Sequence, residues 1–168
     1  CSAHPDTPAL SALASILGGG RSARFYEKFH DRLGLVYSIE VHSNQSETDE
    51  GAFTISMDVD RAQRDKVRDL VLQELRNLAE EDFTEDLKRV CKQTRVSRLR
   101  RRSSASGMAS EMGADWFGAR NLNLSSEWQE AIERVTTEDL HRVCSTWLSS
   151  PNVTEVSLDP PGSNAGDE

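Results

Sequence analysis

The feature that most constrains this chain is a double change of hydrophobic period. Between residues 35 and 59 apolar side chains recur at every second position, while on either side they recur at every third or fourth. Leu35, Tyr37, Ile39 and Val41 alternate with Ser38, Glu40 and His42, and Phe53, Ile55, Met57 and Val59 alternate with Thr54, Ser56 and Asp58. A period of two is that of half-buried strands, and the polar link NQSETDE between them predicts an antiparallel pair. Upstream, Leu10, Leu13, Ala14 and Leu17 share one face of a helix over residues 7–18 that ends at Gly18-Gly19-Gly20. Ser22 is expected to cap a second helix, which Gly34 stops in a left-handed conformation. Downstream, Val67, Leu70, Val71, Leu75, Leu78 and Ala79 form the inner stripe of a further helix. Thr84 opens a long helix to about residue 119, with breaks expected near Gly107 and Gly113, and Ser125 and Thr136 begin two shorter ones. The segment NVTEVSL reads as a last strand, and DPPGSNAGDE is too rich in Pro, Gly and polar residues to pack.

Strands grouped together, without strand–helix alternation, predict an α+β fold: an antiparallel or mixed sheet with helices packed on one face. The 168 residues suit one domain over 1–159, with a disordered tail at 160–168. Three strands make a thin sheet, which predicts a missing strand or a partner.

Several functions are disfavoured by what the chain lacks. No apolar run reaches 18 residues, so no membrane span is expected. The stretch Leu10–Leu17 is broken by serines and has no basic segment before it, so no signal peptide is expected within these residues. Cys1, Cys91 and Cys144 are too few and too scattered for a disulfide framework, and Cys91 and Cys144 read as buried free thiols. The histidines are His4, His30, His42 and His141, and neither H-E-x-x-H nor H-x-x-E-H occurs. His141 and Cys144 stand three apart on a predicted helix, but two ligands do not make a zinc site. G-x-S-x-G is absent, and Gly18–Ser22 resembles a phosphate loop only superficially because it follows a helix. Arg95, Arg98, Arg100, Arg101 and Arg102 could form a nucleic-acid patch. A net charge of −8 and the acidic run EEDFTED one helical segment earlier favour a solvated helix and no nucleic acid.

GGGRSARFYEKFHDRLGLVYSI resembles the segment that opens the second domain of pitrilysin/insulinase-type zinc metallopeptidases. The likeness continues through GAFTISMDVD, KVRDLVLQELRNLAEEDFTEDLKRVCKQ, EAIERVTTEDLHRVCSTWL and NVTEVSLDP, over essentially residues 5–160. It implies a clamshell of two similar α+β halves around a chamber. Zinc is held in the other half on an inverted H-x-x-E-H helix, and this half is metal-free, non-catalytic and helps to hold the peptide. It also implies a first strand just before the position of Cys1. The family's second half supplies an Arg and a Tyr, seven residues apart, that contact the substrate. Tyr37 matches the Tyr, and His30 stands where the Arg would be. Imidazole offers fewer donors than a forked guanidinium, so any carbonyl stabilisation from this side should be weaker. Arg32, about 200° further round a helix, should point away. The implied partners are the zinc-bearing half and a peptide. The alternative is a structural or regulatory non-peptidase relative, like a complex III core protein or a processing-peptidase regulatory subunit, which the His30 departure makes worth carrying.

Overall fold

A computed structural model describes residues 4–44, 51–149 and 153–159. Its centre is α1 (Thr7–Gly18), of whose 12 residues seven are buried: Thr7, Ala9, Ala12, Leu13, Ala14, Ile16 and Leu17. These lie all round the helix, not on the single face that the leucine spacing predicts. Ala9, Ala12 and Ala14 are small enough for neighbours to approach from several sides, and α1 packs against the sheet and against three later helices.

The sheet consists of β1 (Ser38–Asn44) and β2 (Ala52–Asp58), antiparallel, with Ile39 opposite Met57 and Val41 opposite Ile55. Ile39 and Val41 are buried beneath α1, whereas Phe53, Ile55 and Met57 are only half-buried. Gly18 ends α1 directly over β1. A Cβ built at Gly18 would lie 2.3 Å from the Val41 amide nitrogen, so no larger residue fits without moving helix or strand.

Between α1 and β1 the chain forms a second helix. It begins at Arg24, and from Tyr26 to Arg32 it is wound as a π-helix. Ser22 does not cap it. Instead a turn closed by the Ala23 N–H on the Gly20 carbonyl (3.0 Å) occupies that stretch and delays the start. The stop at Gly34 is as expected: its φ is +60°, its N–H donates to His30 O (3.1 Å), and the Leu35 N–H donates to Phe29 O (2.9 Å). The helix buries Phe25 and Phe29, which meet edge to face at 5.4 Å. Each Phe side chain of this kind costs roughly 3–5 kcal/mol to truncate to Ala.

The remaining helices are α2 (Arg64–Asn77), α3 (Thr84–Arg102), α4 (Ala105–Ala119), α5 (Leu124–Glu133) and α6 (Thr137–Val143). A π-helical turn at Cys144–Leu148 continues α6. The long helix expected from Thr84 breaks at Ser103–Ser104, where the Ser104 hydroxyl accepts from the Gly107 N–H (3.1 Å). Thr136 caps α6 in a reciprocal capping box with Asp139, as its spacing predicts. Ser125 caps nothing: its N–H and hydroxyl both donate to the buried Asp115 carboxylate of α4 (3.1 and 2.6 Å).

The expected last strand is not formed. Residues 153–159 make no ladder, and Val156 and Leu158 are 89% and 98% exposed. A strand needs a neighbour within ladder distance. Here a cleft of about 1810 Å³ separates the segment from β2, and half-buried Arg64 and Arg68 reach across to Asp159 and Glu155 (both 3.5 Å). The outer edge of β2 therefore has no ladder partner among the described residues, which is why its apolar face stays half-exposed. The proposed tail at 160–168 lies outside the described residues.

Two consequences can be measured. Helix propensity alone would make Gly18→Ala stabilising by about 0.5–1 kcal/mol. The contact with Val41 should reverse that sign, giving a loss of about 1–3 kcal/mol in urea unfolding. Asp6, just before α1, accepts from Trp147 Nε1 (2.9 Å) and pairs with Arg142. Burial pushes its carboxyl up, but these hydrogen bonds and the Arg142 charge outweigh burial and hold it below its usual value. A depressed folded value stabilises above the unfolded one, so Asp6→Asn should cost about 1–2 kcal/mol at neutral pH. The gap to wild type should close as pH falls below about 3.9.

Candidate functional site

Tyr37 closes the loop between Gly34 and β1. Its N–H donates to Asp58 O (2.8 Å), so the ladder continues one residue beyond β1. Alternation places Tyr37 on the inner face with Ile39 and Val41, but the ring is 69% exposed, and its neighbour Val36 is buried instead. Its hydroxyl is held over the Asp60 carboxylate at 3.2 and 3.3 Å. Asp60 went unnoticed in the sequence, although the hairpin register contains it: pairing Ser38 with Asp58 brings residue 60 alongside the approach to β1. Tyr37 also lies on the lip of the cleft between β2, α2 and residues 153–159, whose lining includes Phe53, Ile55, Met57, Arg64 and Arg68.

His30 is placed differently. It lies on the π-helix, outside the cleft lining. Its ring stacks on Tyr26 with centroids 4.4 Å apart, Nδ1 is 2.7 Å from Asp31 Oδ1, and Nε2 is 3.4 Å from the Tyr26 hydroxyl. Both ring nitrogens are thus engaged by neighbours one and four residues away. No hydrogen bond or ring contact joins His30 to Tyr37. Arg32, turned to solvent, pairs with Glu27 at 2.6 Å.

The described residues do not fit a zinc ion, because nowhere among them do three His, Cys, Asp or Glu side chains converge. Each described histidine has a local partner: His4 with the Asp6 N–H (3.2 Å), His42 with Glu40 (3.3 Å) and His141 with the Glu81 carbonyl (2.9 Å). Cys144 is buried beside α6, and burial pushes its thiol up to about 12. A thiol so reluctant to ionise is a poor ligand or nucleophile. Cys91 is free but only half-buried, and burial raises it too.

Three arginines of the cluster, Arg95, Arg98 and Arg102, pair with carboxylates, which are not those the sequence suggests. Arg95 forks onto Glu133 (3.0 and 3.0 Å), and Arg98 binds Glu111 (3.0 Å) and Gln129 (3.2 Å). The acidic run is engaged elsewhere: Arg24 bonds Asp86 (2.6 Å), Glu81 (3.0 Å) and the Asp82 carbonyl, and lies 4.9 Å from the centroid of Phe83. The physical reason is distance. Glu85 and Asp86 lie in the first turn of α3 and the arginines in its second half, roughly 14–26 Å further along at 1.5 Å per residue.

Comparison with known proteins agrees with this architecture. The chain is 24% identical over 144 residues to an uncharacterised zinc protease of Rickettsia felis, and equally to one of Rickettsia bellii. Each alignment covers 86% of this chain but 35% of the relative, so the chain spans about a third of the curated relatives it matches. Among solved structures, an inactive peptidase domain from Bordetella parapertussis superposes with a TM-score of 0.74 at 16% identity, covering 96% of this chain and 89% of that one. A protease from Helicobacter pylori gives 0.69 at 23% identity, covering 85% of this chain and 34% of that one. At these identities the structures establish the fold. The family model described as the peptidase M16 inactive domain matches residues 1–94, more than half the chain, and this chain therefore belongs to that family.

Proposed function

We propose that this domain is the peptide-holding half of a zinc-dependent peptidase, with Tyr37 as its contact to the substrate backbone. The observation that carries the reading is the Tyr37 phenol: a large ring that alternation assigns to the core stands in solvent at the lip of a cleft. In a domain of the inactive family, with no metal cluster among its described residues, binding is the role left to such a group. Hydrolytic chemistry would come from zinc in the other half. This half would contribute position and a hydrogen bond.

The Tyr37 hydroxyl donates to Asp60. Both groups are exposed, so that bond has a net worth of only about 1 kcal/mol. Rotating the phenol to donate to a peptide carbonyl therefore costs little, and Asp60 is re-solvated when it does. His30 has no equally free donor, since turning toward a peptide would break both its stack on Tyr26 and its pairing with Asp31. That engagement favours the second reading, a structural or regulatory relative whose peptide contacts have decayed.

The test uses the protein carrying both halves. Tyr37→Phe should lower kcat/KM on a fluorogenic peptide about tenfold, while lowering stability in urea by no more than the roughly 1 kcal/mol of the lost Asp60 bond. The domain alone should show no hydrolysis that a chelator abolishes. An unchanged kcat/KM would remove Tyr37 from substrate binding. A two-half protein with no chelator-sensitive hydrolysis would put the structural relative in place of the peptidase.

A further inference from the structure

Helix α4 is amphipathic in the reverse sense. Its two buried side chains are Glu111 and Asp115, and its large apolar side chains Met108, Met112, Trp116 and Phe117 are exposed. Phe117 is 81% exposed and Met112 48%. The helix is fastened to its own domain by charge: Glu111 Oε1 accepts from Arg98 (3.0 Å) and lies 3.7 Å from Arg102, and Asp115 receives Ser125. Met108, Met112 and Trp116 recur every four residues, a ridge about 12 Å long of the kind that seats in a groove between helices. An apolar ridge kept outward while carboxylates are buried is unfavourable for a domain standing alone.

The surroundings of the ridge specify its partner. Arg100 and Arg101, at the end of α3, and Arg120, just past the end of α4, form no ion pair among the described residues. Arg120 has a φ of +54° and lies 5.4 Å from the centroid of the Trp116 ring. With both α4 carboxylates turned inward, positive charge is left at both ends of the ridge. A second copy does not fit, since any two-fold pairing of α4 with itself sets arginines against arginines. An anionic lipid surface would meet a chain of net charge −8.

We infer that the Met108–Met112–Trp116 ridge of α4 is the surface on which the zinc-bearing half docks, through a patch apolar at its centre and carrying carboxylates at its two ends. This rests on the domain being one half of a two-half peptidase.

The experiment compares maleimide labelling of Met112→Cys with that of Ser110→Cys in the two-half protein. Both positions are exposed in this domain, and they are about 200° apart round α4. Cys1→Ser and Cys91→Ser, with every cysteine of the other half also replaced by Ser, remove the competing thiols, and burial keeps Cys144 silent. Labelling at 112 should be roughly tenfold slower or more than at 110, as expected of a contact that must open first. The triple variant Arg100→Glu, Arg101→Glu, Arg120→Glu should abolish that protection. Equal rates at the two sites, or protection that survives the triple variant, would overturn the inference. So would protection that rises with protein concentration, the mark of a second copy, or that appears only with phosphatidylglycerol vesicles. Chelator-sensitive hydrolysis is scored on the same samples. Activity with equal labelling sinks the docking surface alone, and protection without activity sinks the peptidase reading while leaving the surface in place.

Discussion

The approach of α1 to β1 is the constraint on which the rest depends. Gly18 reaches the backbone of Val41 so closely that a methyl group would lie 2.3 Å from its amide nitrogen. That distance sets how deep α1 lies on the sheet, and α1 in turn is the common neighbour of β1, α3, α5 and α6. The small residues Ala9, Ala12 and Ala14 serve the same end, letting a helix with few large side chains fill the centre by close contact. The chain between Gly18 and β1 is then positioned at both ends. Its helix is anchored by Phe25 and Phe29, and Gly34 turns it back so that Val36 enters the core and Tyr37 is left outside.

Around this apolar centre, charge fastens the outer pieces. Arg24 ties the second helix to the start of α3 through Asp86, Glu81 and the Asp82 carbonyl, and Asp6 ties the start of α1 to α6 and the turn after it. The α3–α4–α5 corner is held by Arg98, Glu111, Asp115 and Ser125. Glu111 Oε2 is buried there without a hydrogen-bond partner, so this polar corner is incompletely satisfied. The two sides of the molecule differ accordingly. One holds α1 and β1 by apolar packing, and the other holds α4 by ion pairs and keeps its Met and Trp side chains outward.

Local chemistry was legible wherever one residue's geometry decides it. The Thr136–Asp139 capping box and the left-handed Gly34 are written in three or four adjacent residues and form as expected. The strand pair was legible because a period of two has no other explanation. The last strand was not, because Val153, Val156 and Leu158 state a preference for extended chain without stating what lies beside it. Ser22 and Ser125 look like caps in the sequence, but Gly20 and Asp115 satisfy the turns and amides concerned. The pairing of Arg95 with Glu133, 38 residues away, carries no sequence signal at all.

By itself the sequence determined the α+β class, the hairpin, the helical stretches and the family, together with the lack of any zinc-binding helix motif. These depend on periodicity, turn chemistry and motif, which are local or are carried by an ordered set of segments. Only the tertiary structure decided that α1 is central, that Tyr37 is exposed and rests on Asp60, that His30 is occupied by Tyr26 and Asp31, and that α4 faces its apolar side outward. Each of these is a question of which surfaces meet. A helix's apolar residues record that one side wants cover, but whether that cover comes from its own domain depends on contacts between residues far apart in the chain.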